Sequence, residues 1–152
     1  MVREGSTQAR LAIVALGAAL ALATTPSGAS RAGGRTPLEF EVAQIRIEKN
    51  ATARDAGIQM LLDAEDWKSV AIYLPHGGPR IMQVRASSSV GRIGVTGLFF
   101  ESAEPSLHDL PLKDLLRMFP VGRYRLVGET TDGAEMIGTA RLTHDIPAGP
   151  TV

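Results

Sequence analysis

The chain has 152 residues, 16 basic and 16 acidic side chains and no cysteine, and 5% of its residues are aromatic. That length holds one domain with a tail, and the balanced charge lacks the excess of clustered Lys and Arg that a nucleic-acid footprint needs. Without cysteine there is no disulfide framework, thiolate metal site, cysteine nucleophile or lipid-bearing N-terminal cysteine.

Residues 1–29 read as a secretory signal peptide. Arg3 and Arg10 form the positive start, and Leu11 to Ala23 is a continuous apolar run. Ser27 and Ala29 supply the small residues before a cut after Ala29. The run has 13 residues, too few to cross a hydrocarbon core of roughly 30 Å as a helix. Export to the periplasm or the medium is therefore expected, with no membrane span once the signal is cleaved. Removal of the segment leaves 14 basic and 15 acidic side chains, so the mature part is slightly acidic. Residues 30–37 are a Gly-rich polar lead-in with little to bury.

From Leu38 onward the apolar period is two, with turn signals every eight to twelve residues, as in a β-sandwich or barrel. Leu38 to Lys49 changes phase between Val42 and Ile45, which predicts a bulge or break near Ala43-Gln44. Gly57 to Ala64 is the next strand. Ser69–Leu74 and Arg80–Ala86 form a hairpin around Pro75-His76-Gly77-Gly78-Pro79. Ser87-Ser88-Ser89 reads as a loop. In Val95 to Glu101 the run Leu98-Phe99-Phe100 predicts a strand buried on both faces or one near the sheet centre.

Residues Pro111 to Pro120 break the pattern. Leu112, Leu115, Leu116 and Phe119 share one face of a short helix that Pro111 opens and Pro120 ends, placed as a crossover on the core edge. Arg123–Thr130 and Ala134–Thr143 form a last hairpin around Thr131-Asp132-Gly133. Tyr124 sits just after the crossover, where sandwich domains place a corner tyrosine bonded to upstream backbone. The fold class expected is all-β: an immunoglobulin- or fibronectin-like sandwich of about seven strands over residues 38–146. A Pro/Gly-rich linker follows at residues 147–152.

The chemistry-bearing residues do not form a motif. His76, His108 and His144 lie far apart, without the short spacings of a zinc site. Ser88, His108 and Asp145 lack a nucleophile elbow. Asn50-Ala51-Thr52-Ala53-Arg54-Asp55 holds fragments of a calcium loop, opposed by Arg54. Arg80, Arg85 and Arg92 make a basic edge that keeps a strand soluble. Glu101, Glu104 and Asp109 form one acidic group, and Asp63, Glu65 and Asp66 another beside Trp67. The second group is the expected ligand surface, with Trp67 as its aromatic contact. No catalytic residue, cofactor or metal ligand is assigned. A hydrolase using Glu101, Glu104 or His108 is the third reading, after a ligand-binding module.

Four segments carry a resemblance: Asp63 to Lys68, Phe99 to Pro105, Phe119 to Tyr124, and Leu142 to Pro150. Together the chain resembles uncharacterised bacterial exported proteins in which a β-rich module precedes a fibronectin type III-like domain, over roughly Val42 to Pro150. The resemblance implies a β-rich exported module, and Ile146-Pro147-Ala148-Gly149-Pro150 as the lead into a second domain. It carries no catalytic residues. The loop at Asn50 to Gly57 is poorer in acidic residues than the resemblance implies, so no cation site follows from it. The function expected is an exported, non-enzymatic interaction or structural module whose partner is a protein or a cell-envelope ligand. A carbohydrate- or peptide-binding module of the cell envelope is the alternative.

Overall fold

The computed structural model describes residues 36–149. The expected signal segment at residues 1–29 and the outer ends of the expected lead-in and linker lie outside them. Seven strands and two short helices follow in chain order. They are β1 (Leu38–Glu39), β2 (Val42–Asn50), β3 (Asp55–Tyr73), β4 (Arg80–Arg85), α1 (Ser88–Ile93), β5 (Val95–Glu101), α2 (Leu112–Met118), β6 (Gly122–Thr130) and β7 (Glu135–Leu142). The all-β expectation holds, and the strands form one hydrogen-bonded sheet.

The 19-residue β3 is the spine of that sheet. One edge of its first half pairs with β2, from Val42 opposite Asp63 to Asn50 opposite Asp55. The other edge pairs with β5, from Gly97 opposite Asp63 to Glu101 opposite Gln59. In its second half the partners change to β6 and β4. β4 and β5 therefore lie end to end along one edge of β3, separated by α1, while β2 and β6 share the other. β7 pairs with β6 and adds the two-residue parallel β1. The sheet bends where the β3 registers shift, between Asp63 and Ser69, so that β7 comes to pack against β2.

The sequence predicts two strands here, Gly57 to Ala64 and Ser69–Leu74, parted at Glu65 to Lys68. Instead one strand runs through. Ile58, Met60, Leu62 and Ala64 are buried at two-residue steps, Trp67 and Val70 follow at three-residue steps, and Ile72 resumes the alternation. Each longer step is a local irregularity that bends the strand without ending it. The cause is Trp67, whose fully buried ring removes roughly 150–250 Å² from water. Its charged neighbours do not oppose this, because they leave by the other face.

Side chains from both halves of the bent sheet meet in the core. Ile45, Ile58, Met60 and Leu62 come from the first half, and Val70, Ile72, Tyr124, Leu126, Met136, Ala140 and Leu142 from the second. α2 adds the buried Leu115 and sits where its period predicts. Pro111 stands one position earlier than expected, as the N-cap.

Three further expectations change. The break between β1 and β2 falls at Phe40-Glu41, ahead of Ala43-Gln44, because Phe40 must leave the strand to lay its ring on Gly138, at 2.7 Å from where a Cβ would stand. Ser88 and Ser89 open α1, with Ser87 as the N-cap, so the loop there is shorter than expected. Phe99 is 61% exposed: β5 pairs only with β3 and is an edge strand, with one face on the core and one in water.

Candidate functional site

The four residues expected to form a ligand surface have separate roles. Trp67 is wholly buried, and its indole N–H donates to the Thr96 carbonyl at 3.2 Å. No ligand can stack on it, which corrects the expected aromatic contact. Asp66 accepts a hydrogen bond from the Thr131 hydroxyl, and its carbonyl accepts from the Thr131 N–H at 3.2 Å. It ties the bend of β3 to the turn between β6 and β7. Only Asp63 and Glu65 remain exposed.

The histidines stand apart, as their spacing suggested. His76 holds a positive-φ position in the β3–β4 turn. His108 contacts Asp109 at 3.2 Å in the open loop after β5, and that contact holds the Asp109 carboxyl below its usual range. His144 places Nε2 2.8 Å from the Phe119 carbonyl, so Nε2 carries a proton and the ring anchors the end of α2. Among the described residues no hydrogen bond joins Ser88, His108 and Asp145. Asn50 Oδ1 accepts from the N–H groups of Thr52 and Ala53, both at 3.0 Å, and thereby shapes the turn before β3.

On the outer face of the first half-sheet Glu48 joins Glu101 and Glu104, two of the residues that the sequence grouped with Asp109. Glu48, Glu101 and Glu104 each place an oxygen within 4.8 Å of the others. The β2–β3 register sets Glu48 opposite Gly57, and the β3–β5 register sets Glu101 opposite Gln59. Glu104 crosses above Gly57, where a Cβ would stand 3.1 Å from its Cγ. Gln59 Nε2 donates to Glu101 at 2.9 Å and also to Glu48. Hydrogen bonding with Glu101, then burial, then the charges of Glu104 and Glu101 raise the Glu48 carboxyl above its usual range. Three oxygens at this separation match the hard-ligand preference of a calcium-sized cation. The same geometry also arises from charged residues crowded on one exposed face.

The inner face carries a different feature. Ile58, Met60, Ile81, Met82, Phe100 and Met118, with Ser102 and Phe119, line a cavity of about 290 Å³. The walls come from β3, β4, β5 and the end of α2. Its one side-chain hydroxyl is already engaged: Ser102 Oγ accepts from the Ile58 N–H at 3.0 Å and lies 2.9 Å from the Ala103 carbonyl. Ile81 and Met118 are 37% and 56% exposed, so the cavity opens to solvent between them. A ligand here is held by apolar contact rather than by polar groups.

Beside this cavity runs the free edge of β5. The Ser102 N–H bonds the Ile58 carbonyl at 3.0 Å, which fixes the parity of the ladder. Phe100 and Leu98 turn their backbone groups toward β3, and Gly97, Phe99 and Glu101 turn theirs outward. Among the described residues no strand pairs with that edge. The sequence held a partial signal for the site in the inward phase of Met60, Met82 and Phe100, but nothing local to show that β4 and β5 lie end to end.

Comparison with protein-family models, with curated proteins and with solved structures finds no match for the chain.

Proposed function

We propose that the chain is an exported, non-enzymatic interaction module that binds an extended peptide by strand addition to β5. The observation that carries this reading is the open backbone edge at Gly97, Phe99 and Glu101 alongside an apolar cavity lined by Met60, Met82, Met118 and Phe100. A peptide paired to that edge gains main-chain hydrogen bonds, and its alternate side chains point to the inner face, where the cavity receives them. Methionine linings adapt to differently shaped apolar side chains. A volume near 290 Å³ lies at the lower limit of small-molecule pockets, roughly 300 Å³, and suits one or two protein side chains. The scarcity of free polar groups in it favours a peptide over a sugar.

In this reading the bent sheet serves as a β-sandwich of the immunoglobulin or fibronectin kind, its two halves acting as the layers. The Tyr124 corner and the core shared between the halves support that assignment. Export rests on the positive, apolar and small-residue zones of residues 1–29. The resemblance to exported proteins with a β-rich module ahead of a fibronectin type III-like domain agrees with it.

The test is anisotropy with a fluorescein-labelled peptide of alternating valine and threonine. Saturable binding is expected, weakened at least tenfold by Met118→Arg, which puts a charge at the cavity mouth, and by Phe99→Pro, which removes an outward N–H without touching the β3 ladder. Equal binding by wild type and both variants contradicts the proposal.

A further inference from the structure

The outer face of the second half-sheet carries four arginines at one end. Arg123 and Arg141 stand directly opposite each other on β6 and β7, and Arg125 and Arg80 flank Tyr73 in the neighbouring row. All four are exposed. They alternate along their strands with the buried Tyr124, Leu126, Ala140 and Leu142, or lie in register with those that do. Like charges directly across an antiparallel pair destabilise it. Strands lie about 4.8 Å apart, and two residues along a strand span about 6.8 Å, so the four charges sit close together. Among the described residues none of them makes an ion pair with a carboxylate. The Arg125 guanidinium lies 4.1 Å from the Tyr73 ring centroid, which orients it without neutralising it. The same face exposes Ile137, at 41%, farther along β7 and opposite Glu39.

The outer face of the first half-sheet is the complement. Asp63 and Glu101 are exposed there, with Glu48 and Glu104 beside Glu101. Leu61 and Phe99, 41% and 61% exposed, form a cross-strand apolar pair between the acidic positions. Acidic groups outnumber the one arginine, Arg46 opposite Gln59, on this face, whereas the arginines gather at the end of the other face away from Glu129 and Glu135. The bend of β3 turns the two faces in different directions, so they cannot meet within one molecule.

We propose that the chain self-associates head to tail, the arginine face of one copy docking on the Asp63–Glu101 face of the next. Two different patches make a heterologous contact, which propagates into a ring or an open filament rather than a two-fold dimer. Complementary charge supplies register and encounter rate, and the Leu61–Phe99 pair supplies the apolar contact. This contact leaves the inner cavity free but uses the outward side chains of Phe99 and Glu101, whose backbone forms the β5 edge proposed for peptide binding.

The experiment is sedimentation velocity of the full chain in low and high salt, with two double variants. R123E/R141E sets two glutamates against Arg80 and Arg125 and cancels the positive charge of one face, and D63R/E101R sets two arginines against Glu48 and Glu104 and cancels the negative charge of the other. Expected are concentration-dependent assembly of wild type at low salt and its loss at 0.5 M salt, on the order of the concentration that screens charges beyond a few ångströms. Each double variant alone is expected to be monomeric, and an equimolar mixture of the two is expected to assemble again. A far-ultraviolet circular dichroism spectrum like that of wild type establishes that each variant is folded; if one is not, R123Q/R141Q replaces it and is likewise expected to be monomeric. Four results overturn the proposal: a monomeric wild type, assembly by either variant alone, a mixture that stays monomeric, or a salt-resistant dimer. Binding of dextran sulfate by a wild type that does not self-associate also overturns it and assigns the arginine face to a polyanion.

Discussion

The phenol of Tyr124 donates a 3.0 Å hydrogen bond to the carbonyl of Pro120, four residues upstream. The preceding carbonyl, that of Phe119, accepts from His144, so two consecutive carbonyls at the end of α2 are held by side chains from β6 and the segment after β7. The crossover is pinned at its exit, and α2 is kept over the open side of the cavity. Removing the phenol hydroxyl with Tyr124→Phe is expected to lower stability by about 0.5–1.5 kcal/mol, read as a lower urea midpoint with an unchanged slope.

Burial raises the Tyr124 phenol from 10.0 to about 12. A raised folded-state value means that the folded protein keeps the proton longer than the unfolded chain. The associated stability is complete below pH 10 and is lost as pH climbs from 10 toward 12. Urea unfolding between pH 8 and 11.5 should show that loss in wild type and a smaller one in Tyr124→Phe. Identical profiles for the two proteins would contradict the assignment.

Glu48 gives the opposite experiment in the acidic range. Its carboxyl is raised above the usual carboxylate range, so the folded state favours the protonated form. That contribution to stability is complete below the unfolded value and disappears as pH rises through the folded one. Glu48→Gln, which keeps the shape and removes the charge, is expected to stabilise the protein at pH 7 and to flatten its stability between pH 7 and 4. Thermal melts at those two pH values decide it. A variant less stable than wild type at pH 7 would mean that the carboxylate is a net stabilising partner.

Much of this architecture was legible from period-two patterning. The β3–β4 and β6–β7 hairpins, the short amphipathic helix and the corner tyrosine stand where the sequence placed them. The acidic stretch at Asp63 to Lys68 was not legible, because charge at Glu65 and Asp66 reads locally as a loop. Long-range packing of Trp67 instead carries the strand through. Phe99 misled for a related reason. An apolar triplet implies two covered faces, but whether β5 has one neighbour or two depends on topology that no local window contains. The candidate site suffered most. Its walls come from four elements, and its open edge exists only because β4 and β5 share one side of β3.

Gly122 marks another such long-range constraint. Its φ is +142°, and an added Cβ would stand 2.8 Å from the Pro75 ring. Gly122→Ala therefore meets both an unfavourable backbone region and a rigid neighbour, and is expected to cost about 1–3 kcal/mol, measured by chemical unfolding. Gly77 in the same corner has φ +75° and open space around it, so Gly77→Ala isolates the backbone contribution and should cost less.

Trp67 separates a core aromatic from a ligand contact. Its fluorescence is expected to be blue-shifted and poorly quenched by acrylamide, and unmoved by added glycans. Trp67→Ala should cost about 3–5 kcal/mol, enough to unfold a marginally stable domain. Red-shifted emission that responds to glycans would return Trp67 to the surface.

The central claim is that the outer edge of β5 takes up a peptide strand, and amide hydrogen exchange reads that edge directly. The account predicts rapid exchange at Phe99 and Glu101 in the free protein and slowing of at least tenfold when the alternating valine–threonine peptide is bound. Phe100, already bonded to β3, should change little. Slow exchange at Phe99 and Glu101 before any peptide is added, or no slowing at saturation, would contradict it.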